Sequence, residues 1–187
     1  MKTMIINLIS LFFLTGILGN SSYSQSQDNK PSKQEKKEAK KEMMTANFYS
    51  IDTLLVSRGF VLEAEYLQNK IGEMTSVSST LNFVKVEGEK GVLQTGSDLI
   101  AGYNGVGGVT TEGNISAYKI HRNMKSLNHR VTFNLVTNLG IFNIDMSINA
   151  DDSAYATITS TTSGKLTWRG YLASLYNTRI YKGPDTY

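Results

Sequence analysis

Apolar and polar residues alternate along most of the chain after residue 59, a pattern typical of β-strands with one buried and one exposed face. The alternation is clearest over 142–149, where polar residues separate four apolar ones that share a face: Phe142, Ile144, Met146 and Ile148. An earlier run predicts that one face carries Phe60, Leu62, Ala64 and Tyr66. Similar runs cover 81–86, 91–95, 115–122, 130–137, 154–159 and 166–172. Since short polar turns separate the runs, we predict about eight or nine antiparallel strands.

A different period precedes the strands. Met44, Phe48, Ile51 and Leu55 recur at helical spacing, which predicts an amphipathic helix over 44–58, with a cation in its last turn and Gly59 just beyond its end. We expect its apolar face to pack against the domain. A helix that binds a partner or a membrane surface is the alternative.

These elements define a mainly β fold. Eight or nine strands tend to curl or close rather than stay flat, and only one helix is available to cover an open face. We therefore predict an antiparallel meander closed into a β-barrel, or a strongly curled sheet, with the amphipathic helix at one end. A two-sheet sandwich is the alternative.

The first part of the chain has the composition of an export signal. A basic start, an apolar run over 5–19 and small residues at 22–24 predict a signal peptide over 1–24. Residues 25–42 contain one apolar residue, Ala39, so they predict a polar linker that is disordered or forms a frayed solvent-exposed helix. Residues 43–187 then form a single domain. We expect a soluble periplasmic or secreted protein, without a membrane segment once the signal is removed.

Composition excludes several classes of protein. The 187 residues contain no cysteine, which excludes disulfides, a thiolate nucleophile, a zinc–thiolate site and a lipid-bearing cysteine. The formal net charge is +3, and much of the basic character lies in the lysines between 30 and 41. We therefore expect no nucleic-acid partner.

Five segments between Phe60 and Gly183 together resemble a known family. They are FVLEAE at 60–65, NFVKV at 82–86, GYNGVGGVT at 102–110, AYA at 154–156 and LTWRG at 166–170. The chain resembles an exported bacterial family known as domain of unknown function 4251. The resemblance implies a lipocalin-like antiparallel barrel topology and a Gram-negative source, and family members often carry lipoprotein signals. This chain departs from those members in lacking a cysteine. The family has no established activity, so the resemblance implies no catalytic residue.

The glycine-rich segment 102–113 is the candidate ligand-binding loop. It lacks the Gly-Lys-Ser/Thr of a phosphate loop, and a strand pattern rather than a helix follows it, which excludes a dinucleotide fingerprint. If the segment binds a ligand at the mouth of a barrel, the expected residues are Tyr103, Asn104, Gly105, Gly107 and Gly108. The alternative is a mobile or bulged connection, in which the glycines supply positive φ angles.

Other chemistry finds little support in the sequence. His121 and His129 bracket a turn without a third metal ligand nearby, so we interpret both as surface histidines and expect no metal. Asp145, Asp151 and Asp152 fit a polar strand face and a turn. No nucleophile motif occurs. We therefore expect no cofactor, no catalytic residue and no enzyme activity.

Three functions follow as hypotheses. The first is a small barrel that binds an apolar or amphiphilic ligand in the cell envelope. The second is a structural or interaction protein with a filled core and an envelope protein as its partner. The third is a hydrolase. Large interior residues such as Phe133 and Trp168 favour a filled core, whereas Ala154, Ala156 and Gly170 leave room.

Overall fold

The computed structural model describes residues 32–97, 105–160 and 164–186. The predicted signal peptide and residues 25–31 lie outside these ranges. The described residues form one helix and nine strands: α1 (Lys33–Ser57), β1 (Gly59–Gln68), β2 (Met74–Ser76), β3 (Phe83–Glu87), β4 (Lys90–Thr95), β5 (Val109–Asn123), β6 (Asn128–Thr137), β7 (Gly140–Asn149), β8 (Ser153–Ser160) and β9 (Gly164–Ser174).

The strands form a closed antiparallel barrel. The order around the sheet is β1, β3, β4, β5, β6, β7, β8 and β9, and β9 pairs with β1 to close it. The short β2 is outside the ring and pairs only with the end of β1, in the register Tyr66 to Ser76. The prediction of a mainly β barrel with one N-terminal helix is confirmed, and the sandwich alternative is wrong.

The up-and-down order gives the barrel two distinct ends. Helix α1 leads directly into β1, so the first end, which we call the helix end, also carries the β3–β4, β5–β6 and β7–β8 turns. The opposite end, which we call the mouth, carries the end of β1 and the β4–β5, β6–β7 and β8–β9 connections.

The hydrophobic core lies inside the barrel. The four apolar residues of 142–149 are 8% exposed or less, whereas Asn143 is exposed on the outer face, so the predicted strand face is confirmed. The core also takes buried residues from seven other elements, represented by Ile51, Phe60, Val84, Leu93, Phe133, Ala156 and Trp168.

Two irregularities change which residues face inward. The register of β1 against β9 shifts between Ala64 and Tyr66, so Tyr66 lies on the outer face, 42% exposed, and Leu67 packs against the core in its place. The predicted shared face is therefore wrong for Tyr66, because a bulge moves every later side chain to the other side. A second shift in β5 accompanies Ala117, whose φ is 53°.

The helix is longer than predicted. It begins at Lys33 rather than Met44, and Ser32 and Glu35 form a reciprocal capping box at its start. Residues 33–42 are exposed throughout, so within this part the helical alternative for the polar linker applies rather than disorder. The helix ends at Ser57, so the predicted cation in the last turn is wrong: Arg58 is the C-cap residue and takes a left-handed conformation.

The C-terminal segment crosses the outer face of the barrel. Leu175 and Ile180 cover Val61, Phe83 and Val92, which form a second small hydrophobic cluster outside the main core. The alternation places Val61 on the polar face of its strand, yet this segment buries it completely.

Candidate functional site

The helix end of the barrel is closed. Phe48, Ile51 and Leu55 recur on one face of α1 and are 1% exposed or less. Ile51 and Leu55 belong to the main core, so the helix fills the lumen at this end with apolar side chains. The prediction that the helix packs on the domain is confirmed.

Polar contacts around the rim fix the helix in this position. The Asn47 side-chain amide donates to the Ala150 carbonyl oxygen at 2.8 Å, and the Tyr118 hydroxyl donates to the Leu55 carbonyl oxygen at 2.8 Å. Burial raises the pKa of Tyr118 to about 12, so this hydroxyl stays a donor at neutral pH. These anchors come from β5 and the β7–β8 turn, so they hold the helix from two sides.

His129 lies under the helix and not on the surface. Its side chain is fully buried and stacks on Phe48 with ring centroids 4.2 Å apart. Its Nε2 is 3.3 Å from Asp52 Oδ1 without hydrogen-bond geometry, and Asp52 accepts a 2.6 Å hydrogen bond from Arg122 Nε. Burial lowers the pKa of His129, and the nearby Asp52 opposes this only in part.

The surface prediction is therefore wrong for His129, whereas His121 is exposed. The two residues are on adjacent strands with opposite orientations: His129 pairs with Arg122, and the neighbouring His121 pairs with Arg130. No group of three or more potential metal-binding side chains occurs within the described ranges.

Among the described residues, the mouth of the barrel opens into a cavity of 780 Å³. Its walls are mostly apolar and come from five strands and the β6–β7 turn. The apolar lining residues are Leu93, Val109, Leu139, Phe142, Ile158, Leu166 and Trp168. Six of these belong to the main core or pack against it, and Val109 is the exception, so the cavity continues the core toward solvent.

Polar residues form the rim of this cavity. Asn69 and Lys70 follow β1, Thr95 ends β4, and Ser160 and Lys165 flank the β8–β9 turn. Both lysines are exposed, and neither forms an ion pair with an acid in the described part of the chain. The described lining residues include two cations and no acid.

Trp168 is the sole tryptophan of the chain and forms part of the cavity wall. The side chain is fully buried, and its indole N–H has no hydrogen-bond acceptor among the described residues. An unpaired donor in an apolar lumen is unusual, because buried polar groups normally have a partner.

The predicted loop residues lie only partly within the described ranges. Tyr103 and Asn104 are outside them. Gly105, Gly107 and Gly108 follow β4 at the mouth end, and none of the three lines the cavity. Gly105 and Gly107 have φ angles of 73° and 70°, which glycine adopts readily. A Cβ on Gly108 would overlap the carbonyl group of Thr95, so a close backbone approach requires this glycine.

The sequence analysis missed the cavity residues because they are far apart in the chain. Leu139, Lys165 and Leu166 carry no motif. In an up-and-down meander, however, every second connection falls at the same end, and this rule alone would have brought the residues around 69, 95, 139, 160 and 165 together.

A second depression lies on the outer face and has a different character. It has a volume of 430 Å³ and is lined mainly by polar side chains, including Lys119, Asn134 and Asp145. Asp145 is already engaged, because Arg130 donates two hydrogen bonds to its carboxylate. The guanidinium group of Arg130 holds the pKa of Asp145 below its usual range, which fits a structural ion pair.

Within the described part of the chain, no helix has both the length and the apolar character that a membrane crossing requires.

Comparison with known proteins identifies the family. The family model for DUF4251, a domain of unknown function, matches residues 41–172. The chain is also similar to a DUF4251 family protein from Bacteroides eggerthii DSM 20697, whose crystal structure was determined at 1.95 Å resolution. The two chains are 29% identical, the match covers 72% of this chain and 92% of that one, and the TM-score is 0.61. No curated protein matches this chain. The resemblance seen in the sequence is thus confirmed, and the chain belongs to the DUF4251 family.

Proposed function

We propose that the protein is a non-catalytic binding protein of the cell envelope and that its barrel mouth takes an apolar or amphiphilic small molecule. One observation carries the proposal: the helix fills the lumen at one end, whereas the described residues at the other end leave a cavity lined by apolar side chains. An eight-stranded barrel is about wide enough to be filled by its own side chains or to hold one small ligand.

The size and chemistry of the cavity support this proposal. Its 780 Å³ lies within the roughly 300–1,000 Å³ typical of small-molecule sites, and such sites combine apolar walls with a few polar groups. Exposure of apolar surface to water is unfavourable, and a ligand that covers Val109, Leu139 and Leu166, the more exposed apolar lining residues, would remove this cost.

The experiment uses N-phenylnaphthylamine, an uncharged apolar fluorophore that brightens in apolar surroundings. We expect saturable binding with one site per chain. Leu139→Gln should weaken the binding, because it places an amide in the cavity wall. Ile141→Gln is the matched control: Ile141 is two residues away, 45% exposed, and does not line the cavity. No saturable binding by the wild-type protein, or equal weakening by both variants, would contradict the proposal.

The second candidate is a structural or interaction protein. The observation that favours it is a group of exposed aromatic side chains on the outer face of β1, β8 and β9: Tyr66, Tyr155 and Tyr171. Arg169 lies over the Tyr155 ring at 5.5 Å within this group. If this face binds a protein, Tyr155→Ala and Tyr171→Ala should abolish co-purification of one partner from an envelope extract without changing fluorophore binding.

A further inference from the structure

We infer that the ligand of the mouth cavity is a single-chain amphiphile with an anionic headgroup, a carboxylate or a phosphate, which Lys70 and Lys165 hold at the rim while the tail enters the lumen. This inference rests on the proposed function, since it concerns the same cavity.

The described residues around the cavity carry positive charge only. Lys70 follows β1 and Lys165 is the second residue of β9, so two cations from different elements lie on one rim. The described lining residues contain no carboxylate. The acid of the turn after β1 is Glu73, which accepts a 2.8 Å hydrogen bond from Asn69 and does not line the cavity.

Cations elsewhere on the barrel differ from the rim lysines. Several described cations on the barrel have acidic partners: Lys85 pairs with Glu87, Arg130 with Asp145 and Lys182 with Glu112. The two rim lysines have none among the described residues, and both side chains are exposed. An unpaired cation pair beside an apolar opening fits an anionic group that has an apolar extension.

The cavity lining changes from polar at the rim to apolar at the floor. The polar lining residues are at the strand ends, and the apolar ones continue inward to Trp168, which is fully buried. A ligand complementary to this gradient has one polar end and one apolar end. A wholly apolar ligand would leave the rim lysines without a partner, and a small inorganic anion would leave the walls uncovered.

The experiment measures the affinity of four probes below their micelle concentrations, by displacement of N-phenylnaphthylamine and by the fluorescence of Trp168. The probes are decanoate, decyl phosphate, decanol and acetate. We expect at least one of the two anionic amphiphiles to bind more tightly than decanol, and acetate to displace nothing. Raising the ionic strength should weaken the anionic amphiphiles and leave decanol unchanged, since salt screens exposed charges.

Variants assign the effect to the two lysines. Lys70→Gln and Lys165→Gln should each weaken the preferred anionic amphiphile about fivefold, which corresponds to ~1 kcal/mol for an exposed charge pair at close contact, and should leave decanol unchanged. Lys125→Gln is the matched control, because Lys125 is an exposed lysine in the β5–β6 turn at the helix end. Melting temperatures confirm that all three variants are folded.

The outcomes separate the two claims. If decanol binds as tightly as both anionic amphiphiles, or if the rim variants behave like Lys125→Gln, the inference is wrong and the proposed function stands. If acetate displaces the fluorophore, the site is a simple anion site and the inference is wrong. If neither the fluorophore nor any amphiphile binds, the proposed function fails and the inference fails with it.

Discussion

Replacing Phe48 by alanine tests whether the helix closes the barrel. The Phe48 side chain is 1% exposed and stacks on His129 under the helix. Removing a buried phenylalanine ring costs about 3–5 kcal/mol of unfolding free energy, because the transfer term and the cavity term add. Part of that total is the ring pair itself, worth about 0.5–1.5 kcal/mol. Since a typical domain is stable by about 5–15 kcal/mol, we expect Phe48→Ala to lose a large share of its stability.

The assay is equilibrium unfolding in urea, followed by the fluorescence of Trp168 and by circular dichroism. Tyr49→Ala is the control, because Tyr49 is the neighbouring residue and is 54% exposed, with only an edge contact to Phe48 at 5.6 Å between ring centroids. We expect it to lose less than about 1 kcal/mol. Equal shifts of the urea midpoint for the two variants, with unchanged slopes, would refute the assignment of Phe48 to a closed end.

Three further predictions concern other parts of the fold. Gly170→Ala should lower the melting temperature far more than Gly59→Ala. A Cβ at 170 would overlap the carbonyl oxygen of Glu63 where β1 and β9 close the barrel, whereas a Cβ at 59 meets only ordinary contacts. Equal melting temperatures of the two variants would contradict this. Gln94→Ala should free the C-terminal segment for limited proteolysis, since the fully buried Gln94 amide forms two hydrogen bonds with that segment, at Tyr181 and Gly183, and two with the rest of the domain, at Leu81 and Thr110. Unchanged cleavage would argue against this role. The free energy of unfolding should fall as the pH drops below about 6.5, the pKa of a histidine in the unfolded chain. Burial lowers the pKa of His129 in the folded state, so the unfolded chain binds the proton more readily. His129→Leu should flatten this dependence of stability on pH, and an unaltered dependence would contradict the burial of His129.

The sequence pattern predicted the barrel because its signal is periodic. A period of two with polar turns determines which residues face inward, as 142–149 shows. The pattern failed where the backbone adds a residue: the bulge before Tyr66 reverses the inward face, and no local signal marks it. The helix start was missed because residues 33–42 have no apolar face, although Ser32 and Glu35 form a capping box that the sequence displays.

Long-range contacts account for most of what was missed. Val61 and Gln94 are buried only because the C-terminal segment crosses the outside of the barrel, and the alternation along a strand does not report a covering segment. His129 is buried because α1 lies over its end of the lumen. The mouth cavity likewise depends on residues that closure of the barrel brings together. The strand topology determines where the cavity lies, whereas the side chains at the strand ends determine its chemistry.

A nitrogen–proton correlation spectrum recorded during titration with decanol tests whether one end of the lumen is closed while the other end binds a ligand. The chain has one tryptophan, so the Trp168 indole N–H gives a single resonance at the cavity wall. We expect this resonance and the backbone amides of Ile158 and Leu166 to shift with one saturable midpoint, whereas the amides of Phe48 and His129 at the closed end stay in place. Unmoved resonances at the mouth, or shifts confined to the helix end, would contradict it.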